Sequence, residues 1–394
     1  MVSTRFAGLD GVTLEAAKVA AALREDGHEF VWFAGELGPE FHPGRQVPAA
    51  HFAADENRQL ESGCFGAGAD RDQVASIIAQ RAAHLEGELD QFATEFGIEA
   101  LVVQNAMAIP MQLPLGIALA NLTRSRALPT IAHHHNFGWE RARFANCAVP
   151  EVLEAAFPAT GPHIAHVVIN RDARDELRAR RGVESVVLPN VMDFAATPPR
   201  GDGVRYRVEA GLAPGDVVLL QPTRVIPRKG IELTIRLAYE LRDPAIKVVV
   251  SHPDDRVDTY WAELGALADE LGVDLRLAPA GRGASSLPDA YAAADLVCFP
   301  SLYEGFGNAL LEAFYYRRPV FVNRYSVYAR DIAPTGVDCI EADGALTSEV
   351  VARAAAWLED PPSAGEAVDR NYKTGREHFS FRVVRERLEP LLQG

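Results

Sequence analysis

Short apolar runs rich in β-branched residues alternate along almost the whole chain with longer stretches whose apolar positions recur at helical spacing. The runs predict strands at 30–34, 100–104, 130–134, 166–170 and 185–189 in the first half. A second series is predicted at 217–222, 246–251, 274–278, 296–300 and 319–323. Helices are predicted between them at 14–26, 72–96, 231–241, 259–271 and 308–316, with a last one at about 381–392. Strands that are apolar throughout are buried on both faces, and strand–helix alternation then means parallel sheets covered by helices. The opening strand has room only for residues 1–4, fewer than the usual five or six. No short repeat of fixed period occurs, which sets a solenoid aside.

A polar Pro/Gly stretch, Thr197-Pro198-Pro199-Arg200-Gly201-Asp202-Gly203, divides the two series. The reading is therefore an α/β protein of two doubly wound, Rossmann-like domains facing across a cleft, 1–196 and 204–375, with the helix near 381–394 packing back on the first. Ligands of such sheets bind beyond the carboxyl ends of the strands, so the residues just after each strand matter most.

Charge narrows the partners. Of 394 residues, 54 are Asp or Glu and 39 Lys or Arg, a formal net charge of −15. Extended polyanions such as nucleic acid or an anionic lipid surface need a basic face and are not expected. A small anion samples only one loop. The uncharged stretch 101–123 contains Gln104, Asn105, Pro110, Gln112, Pro114 and Asn121, so it reads as strand, loop and buried helix, not an integral membrane segment. Cys64, Cys147, Cys298 and Cys339 are far apart in sequence with no CxxC, and read as reduced thiols. With no leader-like opening, the expectation is a cytoplasmic protein. Oligomeric state is not legible.

Two loops of the second half carry candidate chemistry. In Ser301-Leu302-Tyr303-Glu304-Gly305-Phe306-Gly307-Asn308, the glycines permit close backbone approach and Asn308 reads as the N-cap of the next helix. A helix start offers unpaired N–H groups to hydroxyls or phosphate. Glu304 in the loop and Glu312 one turn into the helix suit a polyol, since each carboxylate accepts from two hydroxyls. The same residues also suit a capped helix with two solvated acids. In Gln221-Pro222-Thr223-Arg224-Val225-Ile226-Pro227-Arg228-Lys229-Gly230, Arg224 and Lys229 are placed to converge on one anion, a planar fork and a point charge. A basic turn balancing Glu232 is the plainer reading.

With these residues in place, the chain resembles the retaining glycosyltransferase family 4, of the two-domain GT-B fold. The resemblance rests on Glu304 and Glu312 at E-x7-E spacing, the Arg224…Lys229-Gly230 loop, Leu188-Pro189-Asn190 and Ala290-Tyr291-Ala292-Ala293-Ala294-Asp295. It implies that Arg224 and Lys229 neutralise a donor diphosphate and that Glu304 meets the transferred sugar with the amides of Phe306, Gly307 and Asn308. Glu312 would hold the nucleotide ribose.

The first half would carry the acceptor side. Gly8-Leu9-Asp10-Gly11-Val12 opens a helix expected from Leu14, and Gly11 is assigned near the donor. His133, His134, His135 and Asn136 end a strand, with His133 and His135 on one side and His134 on the other. By the resemblance His135 lies near the reacting sugar, with His134 the fallback, and Asn136 stands where similar enzymes carry Asp. Trp139, Arg141 and Arg143 would supply an aromatic platform and a cationic fork for an acidic acceptor, or else a surface turn stapled by Trp139 and Phe144. No further metal ligand stands in register with the histidines, so no metal and no cofactor are assigned. Asp70-Arg71-Asp72 reads as helix capping and Gly281-Arg282-Gly283 as a turn.

The expected activity is hexosyl transfer from a nucleotide-sugar donor, UDP- or GDP-linked, to a small-molecule acceptor by a metal-independent front-face route. A GT-B-like sugar-nucleotide 2-epimerase and a catalytically silent nucleotide-sugar-binding protein are the alternatives.

Overall fold

The computed structural model describes every residue except Leu9, Ala67, Ala69, 253–255, 279–284 and 393–394. The Gly281-Arg282-Gly283 turn lies outside the described residues. The chain forms two compact units, Met1–Pro189 with Phe381–Gly394, and Asn190–Ser380.

In the first unit, strands β1 (Trp32–Ala34) and β2 (Gly44–Gln46) pair in parallel. Strands β3 (Leu101–Gln104), β4 (Thr130–His134), β5 (Ile164–Val168) and β6 (Ser185–Val187) form a four-stranded parallel sheet in that order. The opening residues join the two. Val2 bridges both Phe33 and Val103, its N–H donating to Val102 O at 2.9 Å while the Gln104 N–H donates to Val2 O at 2.8 Å. The short opening strand is therefore central, as β-pairing on both sides requires. Phe33, Leu85, Leu89, Phe92, Leu101, Val103 and Leu119 fill the core beneath it, each fully buried side chain contributing roughly 1.5–3 kcal/mol. The last helix, Phe381–Leu392, belongs to this unit, where Glu389 meets His28 at 2.7 Å.

Strand β5 starts and ends two residues before the predicted 166–170. Asn170 is not a strand residue; its Oδ1 accepts from Ala173 N at 2.7 Å and caps the helix Arg171–Arg181. The helix expected from Leu14 begins at Gly11, because Asp10 caps it through Val12 N and Thr13 N. Asp70 likewise caps the helix Arg71–Glu95, accepting from Asp72 N and Gln73 N.

The second unit is a six-stranded parallel sheet of β7 (Val217–Arg224), β8 (Ile246–His252), β9 (Asp274–Leu277), β10 (Leu296–Phe299), β11 (Val320–Asn323) and β12 (Ile340–Ala342). Its order is β12-β11-β10-β7-β8-β9, so the winding reverses between β7 and β10. A crevice outside the carboxyl ends of the strands forms at such a reversal, and it is where open α/β sheets bind ligands. Leu219, Leu237, Val248, Leu296, Phe321 and Trp357 make the core beside it.

The stretch read as a linker is packed. A Cβ on Gly201 would lie 2.0 Å from Pro288 O, and one on Gly203 2.7 Å from the Ala292 carbonyl carbon. The glycines let 201–203 dock against the helix Leu287–Ala293, where Asp289 accepts from Asp202 N at 2.6 Å. The division between units falls instead between Pro189 and Asn190. Residues 190–196 pack within the second unit, Phe194 against Tyr315 and Tyr372. Among the described residues, no helix is long and apolar enough to cross a membrane.

Candidate active site

At the reversal of the second unit, the loop after β7 and the loop after β10 lock together. The chain turns through a 3₁₀ step, Pro227–Lys229, and leaves it at Gly230 with φ +61°. A Cβ at Gly230 would sit 2.3 Å from Pro300 O, so only glycine permits this approach. Leu302 N then donates to Arg228 O at 2.8 Å, and Arg228 Nη1 donates to Tyr303 O at 3.3 Å.

This docking delivers Glu304 to two cations. Arg228 Nη1 lies 2.6 Å from Glu304 Oε2, and Lys229 Nζ bonds Glu304 Oε1. Lys229 is 8% exposed and the Glu304 side chain 9%. Burial alone raises the Glu304 carboxyl, but the charges of Lys229 and Arg228 outweigh it and hold the group below the usual carboxylate range. For Lys229 burial wins. One carboxylate, shared with Arg228, does not offset desolvation together with repulsion from Arg228 and Arg224, so the ammonium lies below its ordinary value.

Arg224 is exposed at the end of β7, and its charge reaches Lys229. The cation that joins Lys229 on Glu304 is Arg228, because the 3₁₀ step puts the residue adjacent to Lys229 on the same carboxylate. The pair Arg228-Lys229 before a glycine was the available signal.

Asn308 is not the N-cap. Gly307, φ +131°, holds that position without a side-chain cap bond, and Asn308 is the first helical residue, its Oδ1 accepting from Asn190 Nδ2 at 2.6 Å. A Cβ on Gly307 would meet Tyr325 Oη at 2.5 Å, and that hydroxyl donates to Phe306 O at 2.6 Å. Phe306 is buried against Phe379. Glu312 is held separately. It accepts from Tyr291 Oη at 2.9 Å, and the Tyr291 ring stacks on Tyr316 at 4.8 Å.

The first unit has its own cluster at the corresponding reversal, beside the opening strand. His135 Nε2 lies 2.7 Å from Gln104 Oε1; an amide oxygen only accepts, so Nε2 carries the proton and Nδ1 the lone pair. Asn105, left-handed at φ +59°, accepts from His135 N at 2.8 Å and Asn136 N at 3.4 Å. Burial pushes the His135 imidazole down to about 4, against the pull of the Asp10 carboxylate. Gly11 follows Asp10 at the start of its helix, so the Gly-rich loop and His135 share one electrostatic neighbourhood. Gln104 and Asn105 are positioning residues that the sequence presented only as polar interruptions.

His134 turns to the other side. Its Nε2 meets His166 Nδ1 at 3.0 Å and its ring lies 5.0 Å from Phe137. His133 stacks 4.4 Å from His135, and among the described residues neither of its ring nitrogens finds a hydrogen-bond partner. Among the described residues, no group of three or more His, Cys, Asp or Glu is arranged to hold a metal ion.

Beyond the histidines, Trp139 stacks on Phe137 at 4.2 Å with Arg180 over its ring. Glu140 accepts from Phe137 N at 2.9 Å, and burial raises its carboxyl. Arg143 pairs with Glu61 at 3.4 Å and lies over Phe144. The Arg141 guanidinium reaches Met111 Sδ at 3.7 Å, half-buried. The two arginines thus hold different partners.

The model for glycosyl transferases group 1 matches residues 205–375. The chain is 30% identical to the mannosylglucosylglycerate synthase of Thermotoga maritima, over 98% of this chain and 96% of that protein. It is 28% identical to the enzyme of the same name from Petrotoga mobilis, over 86% and 85%. Among solved structures, it resembles Anabaena Alr3699/HepE in complex with UDP and glucose, TM-score 0.67 at 15% identity, covering 100% of this chain and 98% of that one. It also resembles WaaG, a glycosyltransferase of lipopolysaccharide biosynthesis, TM-score 0.63 at 16% identity with full coverage of both. The fold is GT-B.

Proposed function

Since the chain belongs to the glycosyl transferases group 1 family and is a glycosyltransferase, we propose that it transfers a hexose from a nucleotide sugar to a small acidic acceptor, with retention and without a metal. Glu304 and Glu312 at E-x7-E spacing support reading it as a retaining family 4 enzyme. The observation that carries the donor reading is the buried Lys229 ammonium held with Arg228 on Glu304 at the winding reversal of the second unit. An arriving diphosphate offers Lys229 and Arg224 a second anion. Arg228 keeps Glu304 neutralised meanwhile, leaving its oxygens for sugar hydroxyls. Glu312 holds the ribose, and the amides at Phe306, Gly307 and Asn308 face the sugar and phosphate.

In the reaction the bond from the anomeric carbon to the diphosphate breaks as the acceptor hydroxyl attacks from the same face. The departing phosphate oxygen takes the acceptor's proton, so retention needs no protein nucleophile. Cations already in place stabilise the charge that grows on the diphosphate. The neutral His135 hydrogen-bonds the reacting groups.

The relatives named for mannosylglucosylglycerate synthesis favour a mannosyl donor and an acceptor bearing a glycerate carboxylate. Arg141, Arg143, Asn136 and Trp139 of the first unit would receive it. A thermal-shift panel of UDP, GDP, ADP and their sugars tests the donor. A ligand at 100 times its Kd stabilises the native state by about 2.7 kcal/mol, enough to rank the bases. No shift with any of them would overturn the donor site.

A further inference from the structure

Cys64 and Cys147 are 83 positions apart in sequence, yet their sulfurs lie 3.3 Å apart in the first unit. The approach is fixed by backbone, since Ala148 N donates to Cys64 O at 2.8 Å. Leu60, Val74, Leu113 and Val149 pack around the pair. The two thiols differ in access. Cys64, near the end of the helix Asp55–Phe65, is fully buried, while Cys147 is half-buried between the exposed Ala145 and Asn146 on one side and Val149 on the other. Cys298 and Cys339 are buried, and burial pushes both thiols up to about 12.

We propose that Cys64 and Cys147 form a thiol-modification site that closes to an intramolecular disulfide on reaction with a small-molecule disulfide. Cys147, the accessible sulfur, attacks first. Its thiolate forms a bond to one sulfur of the small disulfide and expels the other as a thiolate, leaving a mixed disulfide. Cys64 then gives up its proton and attacks the Cys147 sulfur, expelling the second small thiolate. The protein loses two protons and two electrons, and the small disulfide is reduced to two thiols. The hydrogen bond from Cys64 already favours the first step, holding the Cys147 thiol at about 7 against the usual higher value. Closure staples the helix carrying Glu61 to the stretch that follows Arg143.

The test treats the native full-length protein with oxidised glutathione, alkylates remaining thiols, and maps them by peptide mass. Expected is a Cys64–Cys147 linked peptide with no glutathione retained, with Cys298 and Cys339 alkylated only after denaturation. In Cys64→Ser, glutathione should accumulate on Cys147, since the resolving thiol is gone. Wild-type protein that keeps glutathione on Cys147 with Cys64 free, or that leaves Cys147 unreacted, would overturn the proposal. So would a Cys64 that reacts as fast in Cys147→Ser as in the wild type.

Discussion

Arg228 and Lys229 divide one carboxylate between them, Arg228 on Glu304 Oε2 at 2.6 Å and Lys229 on Oε1. Removing either cation thus leaves Glu304 with the other, but removing Arg228 leaves it only Lys229, the cation the donor also needs. Lys229→Ala should fold with a near wild-type melting curve and lose about 10²–10³-fold in turnover, the scale of one lost electrostatic contact to developing charge. Arg228→Gln should bind donor more weakly, because Glu304 then competes with the diphosphate for Lys229. Its pH profile should also change. The Glu304 carboxyl, held low by two cations, rises with one gone, so the acid limb of kcat/KM moves to higher pH. An unmoved limb in Arg228→Gln would contradict this division.

Two glycines make opposite stability predictions. Gly230 combines a positive φ with a Cβ position 2.3 Å from Pro300 O, so Gly230→Ala should cost at least about 1–3 kcal/mol and most activity. Gly265 lies within the helix Asp258–Leu271 with open space where its Cβ would stand. There Gly265→Ala should stabilise by about 0.5–1 kcal/mol and leave turnover unchanged. Denaturant midpoints of the two variants check both signs.

Buried histidines set the acid sensitivity of the first unit. Burial lowers His133 and His134 well below the ordinary value and brings His135 and His166 to about 4. The unfolded chain protonates near 6.5, so between about 6.5 and 4 it binds protons that the native state refuses. Stability must then fall as pH falls through that window, by up to about 1.4 kcal/mol per pH unit for each histidine. A melting series from pH 7 to 5 should slope steeply, and His166→Leu should reduce the slope by about one proton. A flat series would mean that these rings are charged or exposed.

The acceptor arginines should separate. Arg143 is paired with Glu61, whereas Arg141 reaches a methionine sulfur. Arg141→Ala should raise the acceptor KM about tenfold or more, as loss of a charge-assisted bond implies, with the donor KM unmoved. Arg143→Ala should do less. An unchanged acceptor KM in both would remove the acidic-acceptor assignment.

Parallel sheets and their helices were legible because strands buried on both faces read as continuous apolar runs, and helices 231–241 and 381–392 fall where their apolar spacing puts them. What escaped was structure made by few or polar residues. Strand β2 is half-exposed Gly44-Arg45-Gln46, with no apolar run to mark it. Capping moved two boundaries, at Asn170 and Asp10, since a capping residue looks the same as a strand end or a loop. In the candidate site, residue types and neighbourhoods were readable. Which cation meets Glu304, and which amides orient His135, depend on a 3₁₀ turn and a left-handed Asn105 that spacing does not encode.

The central claim is acceptor-dependent hexosyl transfer with retention. Its most direct test incubates the protein with an α-linked nucleotide hexose, GDP-mannose first, and a glucosylglycerate acceptor, and follows the products by mass and NMR. Expected are a product heavier than the acceptor by one hexosyl residue, α-linked at the new bond, and one nucleoside diphosphate released per product. No donor turnover is expected when the acceptor is omitted. A β-linked product, or donor converted at the same rate without acceptor, would contradict it.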